Sequence, residues 1–383
     1  MGGTRSRIRA GAAVALVGLF VALAVCQLRA FQATATFGSD HFVYSLAVHK
    51  AWHGENPYET RQIGWAYLYP PPALLLLKAT AGVTPSGWNA GQTFTALSVA
   101  AVLIALAVLA GSMSWRAVVV GALLLSSAGM LESTCIGQIN GFVVLLVALF
   151  WWSWQRRAPR LAAIWLATAI CLKTTPLAFV PLLCRRGQRA APLMLVLGVL
   201  GWLCLAEYLI PAPHVTWSFW HALRAASAEY VDNLWNYSLS VIIPMMLRRV
   251  THIDLSWTTV HTVKLAMLVA LLAASYVIYV LRQGARSATV ALFVTCNVCM
   301  VVAPNIVWLH HAALLIPAFW LLLVEPQDRL ESLLALLALL CFQSTRCLQA
   351  QLGIPAHRSF AAGQLLLIAA TGALLVRVAA RAR

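Results

Sequence analysis

Apolar runs follow one another almost without pause along this chain, and only 11 acidic residues interrupt its 383 positions. Runs of about 20 apolar residues are long enough to cross the hydrocarbon core of a bilayer. The chain is 61% hydrophobic and 10% charged, with a mean hydropathy of +0.81. A soluble protein could not hide that much apolar surface behind so few charges, so much of its solvent must be lipid. Without a composition shift to mark a boundary, residues 1–383 read as one all-α polytopic membrane domain. Fifteen tryptophans suit this class, because indole rings favour the headgroup level.

The formal net charge is +16, from 27 Lys plus Arg against 11 Asp plus Glu. The basic residues stand in short clusters between apolar runs, the pattern of topology signals and of contacts with anionic headgroups. No RNA- or DNA-binding motif accompanies them, so nucleic acid is excluded as a partner. The nine cysteines are scattered through the apolar runs. "CNVC", Cys296 to Cys299, has the spacing of a redox or metal pair but lies inside such a run, where cysteine serves as a small packing residue.

A basic start followed by an apolar run at 11–30 predicts a first helix whose N-terminus is cytoplasmic. Further spans are expected at 68–84, 88–110, 116–134, 138–155, 160–184, 191–210, 258–281, 287–303, 307–324, 330–347 and 361–380, about twelve in all. The cluster "RRAPR" (156–160) then falls on the external side, against the positive-inside rule, unless 138–184 contains half-crossing segments. Two stretches, 31–66 and about 211–257, are too long and polar to be plain connections and are expected as structured external loops. No inverted internal repeat is visible.

The carboxylates form a short census. Asp40, Glu55 and Glu59 belong to the first external loop, Glu229, Asp232 and Asp254 to the second, and Glu325, Asp328 and Glu331 to a cytoplasmic turn; Glu132 and Glu207 sit toward helix ends. No two acids stand at i and i+2, so the paired-aspartate device that holds a divalent metal on a nucleotide sugar is missing, and no motif requires a metal. Asp40, in "SDHF", reads locally as a helix cap. "HKAWH" sets His49 and His53 on one helix face but has Lys50 where a metalloprotease needs its glutamate. "YLYPPP" (67–72) stiffens the start of a helix, and "GQIN" (137–140) reads either as a polar turn or as part of a site. Lys173 in "CLKTTPL" is costly amid an apolar run, which points to a cavity or a partner, and Pro176 should break the helix just beyond it. His310 and His311 in "APNIVWLHHAALLIP" point to a polar pocket at the external interface.

Taken in order, "SDHFVYSLAVHKAWHGENPY", "YLYPPPALLLL", "GQING", "LKTTPLAFVPLL", "NYSLSVIIPMMLRR" and "APNIVWLHHAALLIP" resemble the polyprenol-phosphate-dependent glycosyltransferases of family 87, in the GT-C superfamily, over residues 35–320. The family includes mannosyl- and arabinofuranosyltransferases of mycobacterial cell-envelope glycolipids. The resemblance implies a GT-C-like fold and a plasma (inner) membrane enzyme whose active site faces the extracytoplasmic side. It assigns the catalytic aspartate to Asp40, with His41 where the family carries phenylalanine. It aligns Ala303 to His311 with a Ser-Pro-x-Ser-Trp-x-His-His motif, and Asn236, Ser238 and Leu239 with an Asn-x-Ser-Leu motif followed by Arg248 or Arg249.

The chemistry fits. A lipid phosphate is a preactivated leaving group, so the enzyme needs one base for the acceptor hydroxyl and cations or hydrogen-bond donors around the phosphate. Asp40 is the expected base, and a single carboxylate with in-line displacement implies inversion. His310, His311, Arg61, Lys173, Arg248, Asn236, Tyr58, Tyr69, Gln138 and Asn140 are the expected donor-phosphate or substrate residues, and Arg224 is a further cation in the second loop. The expected reaction moves a sugar, mannose first, from polyprenyl phosphate to an extracytoplasmic glycolipid or glycan, with membrane lipid as the other partner and no cofactor beyond the donor. The competing reading is a transporter or flippase of lipid-linked substrates; a metalloprotease built on His49 and His53 is a third.

Overall fold

The computed structural model describes residues 14–29, 38–60, 66–111, 114–184, 189–229, 236–252, 255–282, 285–325, 329–352 and 356–381. Among these residues every regular element is helical. The helices are α1 (Val14–Arg29), α2 (Ser39–Trp52), α3 (Pro71–Gly82), α4 (Ala90–Ala110), α5 (Trp115–Leu125), α6 (Ala128–Ile136), α7 (Asn140–Gln155), α8 (Pro159–Leu172), α9 (Val180–Leu183), α10 (Ala190–Leu209), α11 (Val215–Glu229), α12 (Leu239–Thr251), α13 (Trp257–Leu281), α14 (Arg286–Val302), α15 (Ile316–Val324), α16 (Arg329–Leu352) and α17 (Ala356–Ala380). Two 3₁₀ turns, Thr175–Phe179 and Leu309–Leu315, precede α9 and α15.

Local chemistry explains many of these boundaries. Asn89 opens α4 with a capping box, its side chain accepting from Gln92 N while the Gln92 side chain accepts from Asn89 N. Pro71 occupies the first position of α3, where a missing N–H costs nothing. Ser127 caps α6 and restarts the helix after α5, so the span expected at 116–134 is a pair bent by 52°. The span expected at 160–184 is likewise broken: α8 ends at Leu172, Lys173 is extended (φ −154°, ψ 130°), and Pro176 lies in the following 3₁₀ turn.

Among the described residues, four helices are long and apolar enough to cross a bilayer, namely α4, α10, α13 and Arg358–Ala380 of α17; the bent pair α5–α6 makes a fifth. The chain is a multi-pass membrane protein. Several of the other expected spans are shorter apolar helices, including α7, α8 and α14. With 16 and 14 residues, α7 and α8 reach about 24 and 21 Å, less than a hydrocarbon core of about 30 Å. That length suits half-crossing segments on either side of "RRAPR", where Arg156 also stacks 4.3 Å from the Trp152 ring.

The interior is an aromatic and aliphatic core in which Phe293 meets Trp151 at 4.4 Å and Phe179 at 4.9 Å between ring centres. Helix α7 packs against both α4 and α8, and α16 against α17. By contrast, α10 and α13 turn Leu193, Leu197, Leu200, Val263 and Val269 outward, the surface expected of helices bathed in lipid. Cys296 and Cys299 are free and buried in α14, where they pack.

Candidate active site

The start of α2, the turn between α6 and α7, and the break after α8 meet at one place. Gly38 precedes α2 in the left-handed region (φ +72°), and its N–H donates to Cys135 O at 2.9 Å, tying the helix start to the end of α6. Gly38 is the N-cap residue, and no side chain caps this helix. Asp40 lies one position inside the first turn, so the local reading of it as a cap is corrected: its carboxylate points to a partner on another element instead.

That partner is Gln138. Its Nε2 donates to Asp40 Oδ2, while its Oε1 accepts from Tyr69 Oη at 2.6 Å and Tyr44 Oη at 3.1 Å. Two hydroxyl donors on the oxygen fix the amide orientation and leave only the NH₂ to face Asp40. Gln138 can hold this place because Gly137 turns the chain at φ +75°, where an added Cβ would stand 2.9 Å from His41 Cβ. "GQIN" is thus part of the site as well as a turn.

Two residues on, Asn140 Nδ2 donates to His310 O at 3.0 Å, and Asn140 Oδ1 accepts from Lys173 Nζ at 2.9 Å. Lys173 reaches inward because the chain is extended there, and its ammonium lies 5.6 Å from the Tyr69 ring. Thr175, beside the break, leaves its buried Oγ1 without a hydrogen-bond partner. His310 Nδ1 stands 3.9 Å from Glu132 Oε1, both side chains buried. His311 Nδ1 instead accepts from Trp308 N at 3.1 Å, closing the 3₁₀ turn on itself.

Asp40 keeps part of its surface open, but its carboxylate sits among packed side chains. That burial, reinforced by the negative charge of Glu132 and partly offset by Lys173, pushes its pKa up to about 7. A carboxyl at that value exchanges protons near neutrality, as a general base must. His41 lies 5.7 Å from the Phe94 ring, and burial lowers its pKa, which favours the neutral imidazole.

Of the residues expected from the sequence, the structure thus brings together Asp40, Tyr69, Gln138, Asn140, Lys173 and His310, with His311 alongside. Tyr58 reaches the group indirectly, donating to Tyr69 O at 3.0 Å. Asn236 is committed elsewhere: its Nδ2 donates to Asn305 O, and its Oδ1 accepts from Ser238 N and Val307 N, binding the start of α12 to the end of α14. Arg248 is exposed near the end of α12, and Arg224 is exposed on α11. Arg61 and Asp232 lie outside the described residues. His49 and His53 stack with ring centres 4.1 Å apart, and His53 Nδ1 pairs with His49 O; no group of three metal-ligating side chains occurs among the described residues.

Sequence reading missed two buried charges. Glu132 looked like a helix-end acid, although an acid inside "LLLSSAGMLESTCIG" was itself a signal. Lys264 in α13 donates to Ser238 Oγ at 3.1 Å and Pro304 O at 3.0 Å; one lysine within a 25-residue apolar helix could have revealed it.

A search of curated proteins gives no match. The family model described as glycosyltransferase family 87 matches residues 67–304, which include Tyr69, Glu132, Gln138, Asn140 and Lys173 but stop short of His310 and begin after Asp40. That match covers well over half of the chain, so the protein belongs to glycosyltransferase family 87.

Proposed function

We propose that this enzyme transfers a sugar from polyprenyl phosphate to an extracytoplasmic glycolipid or glycan, with Asp40 as general base and inversion at the anomeric carbon. The observation that carries the reading is the placement of Asp40: its carboxylate is held by an amide that two tyrosines orient, beside a buried lysine and a His–Glu pair. In the reaction, Asp40 takes the proton of the acceptor hydroxyl as that oxygen bonds to the anomeric carbon. The bond from that carbon to the phosphate oxygen breaks, and its electron pair leaves on the lipid phosphate. Lys173 and His310 supply hydrogen-bond donors for that developing charge. Mannose is the first donor to test, and Arg61 and Arg248 are further phosphate partners. A GT-C fold in the plasma membrane, its twelve crossings including half-crossing pairs and its loops 31–66 and 211–257 on the outer side, accommodates this chemistry.

The test is reconstitution in vesicles with labelled polyprenyl-phosphate mannose and a glycolipid acceptor. Formation of a new glycosidic bond, lost in Asp40→Ala, is the expected result. Movement of the labelled lipid across the bilayer without bond formation would favour the flippase reading instead.

A further inference from the structure

Helix α5 stops at Leu125, and α6 starts at Ala128 in a direction turned by 52°. In an unbroken helix the N–H of Ala128 would reach Leu124 O, and Ser126 O would accept from Met130 N. Here Leu124 O is taken by Ser127, from its N–H at 3.2 Å and its hydroxyl at 2.7 Å. Met130 N turns to Ser127 Oγ at 3.4 Å. The bend therefore frees one donor, the N–H of the fully buried Ala128, and one acceptor, Ser126 O. Buried backbone groups freed by a break in a helix need partners from elsewhere.

One side chain meets both. Gln343, fully buried in α16, accepts from Ala128 N at 2.5 Å and donates through Nε2 to Ser126 O at 3.0 Å. The same Nε2 also faces Phe20 O of α1 at 3.4 Å. An N–H on one side and two carbonyls on the other leave the amide a single orientation. Gln343 thus replaces the backbone bonds that the bend gives up, from a helix 215 positions further along the chain.

The bend sets the course of α6. Gly129, next to the held N–H, lies so close to the 3₁₀ turn Leu309–Leu315 that an added Cβ would stand 2.7 Å from Ala313 N. Glu132, one turn further on the same face, meets His310 of that turn at 3.9 Å. Near the end of α6, Cys135 O accepts from Gly38 N, which precedes the helix of Asp40. Gln138, the donor to the Asp40 carboxylate, follows directly. These contacts hang on a nine-residue helix, too short to fix its own direction, whose start Gln343 holds. The Gln343 amide is spent on backbone, so its part is to position, and it stands beyond the segment that the family model matches.

We propose that Gln343 is a positioning residue for the transfer reaction: by holding the α5–α6 bend from α16, it sets where α6 places Glu132 against His310 and Gln138 against Asp40. The proposal rests on the transferase reading for its activity readout, while the placement itself is read without turnover. The test uses the full chain in nanodiscs and compares Gln343→Met, which keeps the side-chain length and loses the amide, with Thr345→Val. Thr345 is also fully buried in α16, but its hydroxyl donates to Cys341 O of the same helix. In Gln343→Met, kcat for transfer from polyprenyl-phosphate mannose to a glycolipid should fall about 10²-fold, the scale of a ~1 Å misplacement set far from the chemistry. The Asp40 carboxyl is followed directly, by pH titration of the infrared C=O band that Asp40→Asn removes. Facing that carboxyl are Glu132 of α6, Lys173 after α8, Tyr44 of its own helix, and Tyr69 and Gln138. Withdrawal of Glu132 with α6 should shift the midpoint to lower pH in Gln343→Met. In a Glu132→Gln background the same substitution should move it no further, and Thr345→Val should keep the wild-type midpoint. Gln343→Asn, which draws the amide back by one methylene, carries the same test in the same direction if Gln343→Met does not fold. A wild-type midpoint in the Gln343 variant would overturn the proposal, as would an equal shift with Glu132 already neutral or a matching shift in Thr345→Val. A shifted midpoint in a protein that forms no glycosidic bond leaves the placement of α6 by Gln343 standing and removes the transferase reading; bond formation with an unmoved midpoint does the reverse.

Discussion

With Asp40 as the proposed general base, the chemistry comes down to one titration. Its pKa is raised from 3.8 to about 7, and a base acts only when deprotonated, so kcat/KM should fall on the acid side with a midpoint near 7 and level off above it. The groups acting on Asp40 are Glu132 from α6, Lys173 after α8, Tyr44 on its own helix, and Tyr69 and Gln138 by hydrogen bonding. Removing the Glu132 charge in Glu132→Gln should therefore shift the acid limb to lower pH. A limb that stays in place, or moves to higher pH, contradicts the coupling. Asp40→Asn should lower turnover by about 10²–10⁴-fold, the usual contribution of a general base. Because the folded-state pKa lies above the unfolded value, the neutral carboxyl is the form folding favours. Stability from this group is full below about 3.8 and lost as pH rises through about 7. Hence Asp40→Asn should unfold at no lower temperature than wild type at pH 8, and a marked drop in Tm would assign Asp40 a structural role.

At the scale of elements, the site depends on close helix crossings and on deliberate breaks. Gly141 in α7 lies against Ser98 of α4, and a Cβ there would overlap the Ser98 carbonyl and hydroxyl oxygens. Backbone cannot yield as a side-chain tip can, so Gly141→Ala should cost about 1–3 kcal/mol, the range for overpacking. A thermal unfolding curve in detergent checks this, and an unchanged Tm would show that α4 and α7 separate freely. Ser98→Ala should not rescue it, because the carbonyl remains. Lys264 plays a different part, joining α13 to Ser238 before α12 and to Pro304 after α14. Lys264→Ala removes two hydrogen bonds but leaves the Ser238 hydroxyl donating to Pro304 O, so the cost should be about 1 kcal/mol for each bond lost. Protease sensitivity rising at 236–240 or 303–307, above that of the wild type, is the expected readout.

Across the whole molecule, apolar exposure and polar burial are arranged oppositely to a soluble enzyme. Helices α10 and α13 show leucines and valines outward, while Asn140, Gln138, Lys173 and His310 are buried inside. Such a molecule depends on lipid around its flank, and exchange into a detergent shorter than its apolar belt should lower activity before it disrupts α7, which is largely buried. Circular dichroism beside a transfer assay tests this order; simultaneous loss of helix and activity would contradict it. The polar interior is sustained by its own pairing, since each of Gln138, Asn140 and Lys173 finds a partner there.

The sequence by itself determined the lipid solvent, the helical class and the family, because these rest on sums and on local order: apolar run length, scarce acids, and six short motifs in succession. It also marked Lys173 and the pair at 310–311, since a charge within an apolar run has few innocent explanations. Only the tertiary structure decided which groups meet. Asp40 and Gln138 are 98 positions apart, and Glu132 and His310 belong to separate elements, so no local pattern could pair them. It also showed that Asn236 is spent on backbone and that the expected spans at 116–134 and 160–184 are interrupted. Composition is a property of the chain, but a site is a set of distances, and those follow from how broken helices pack.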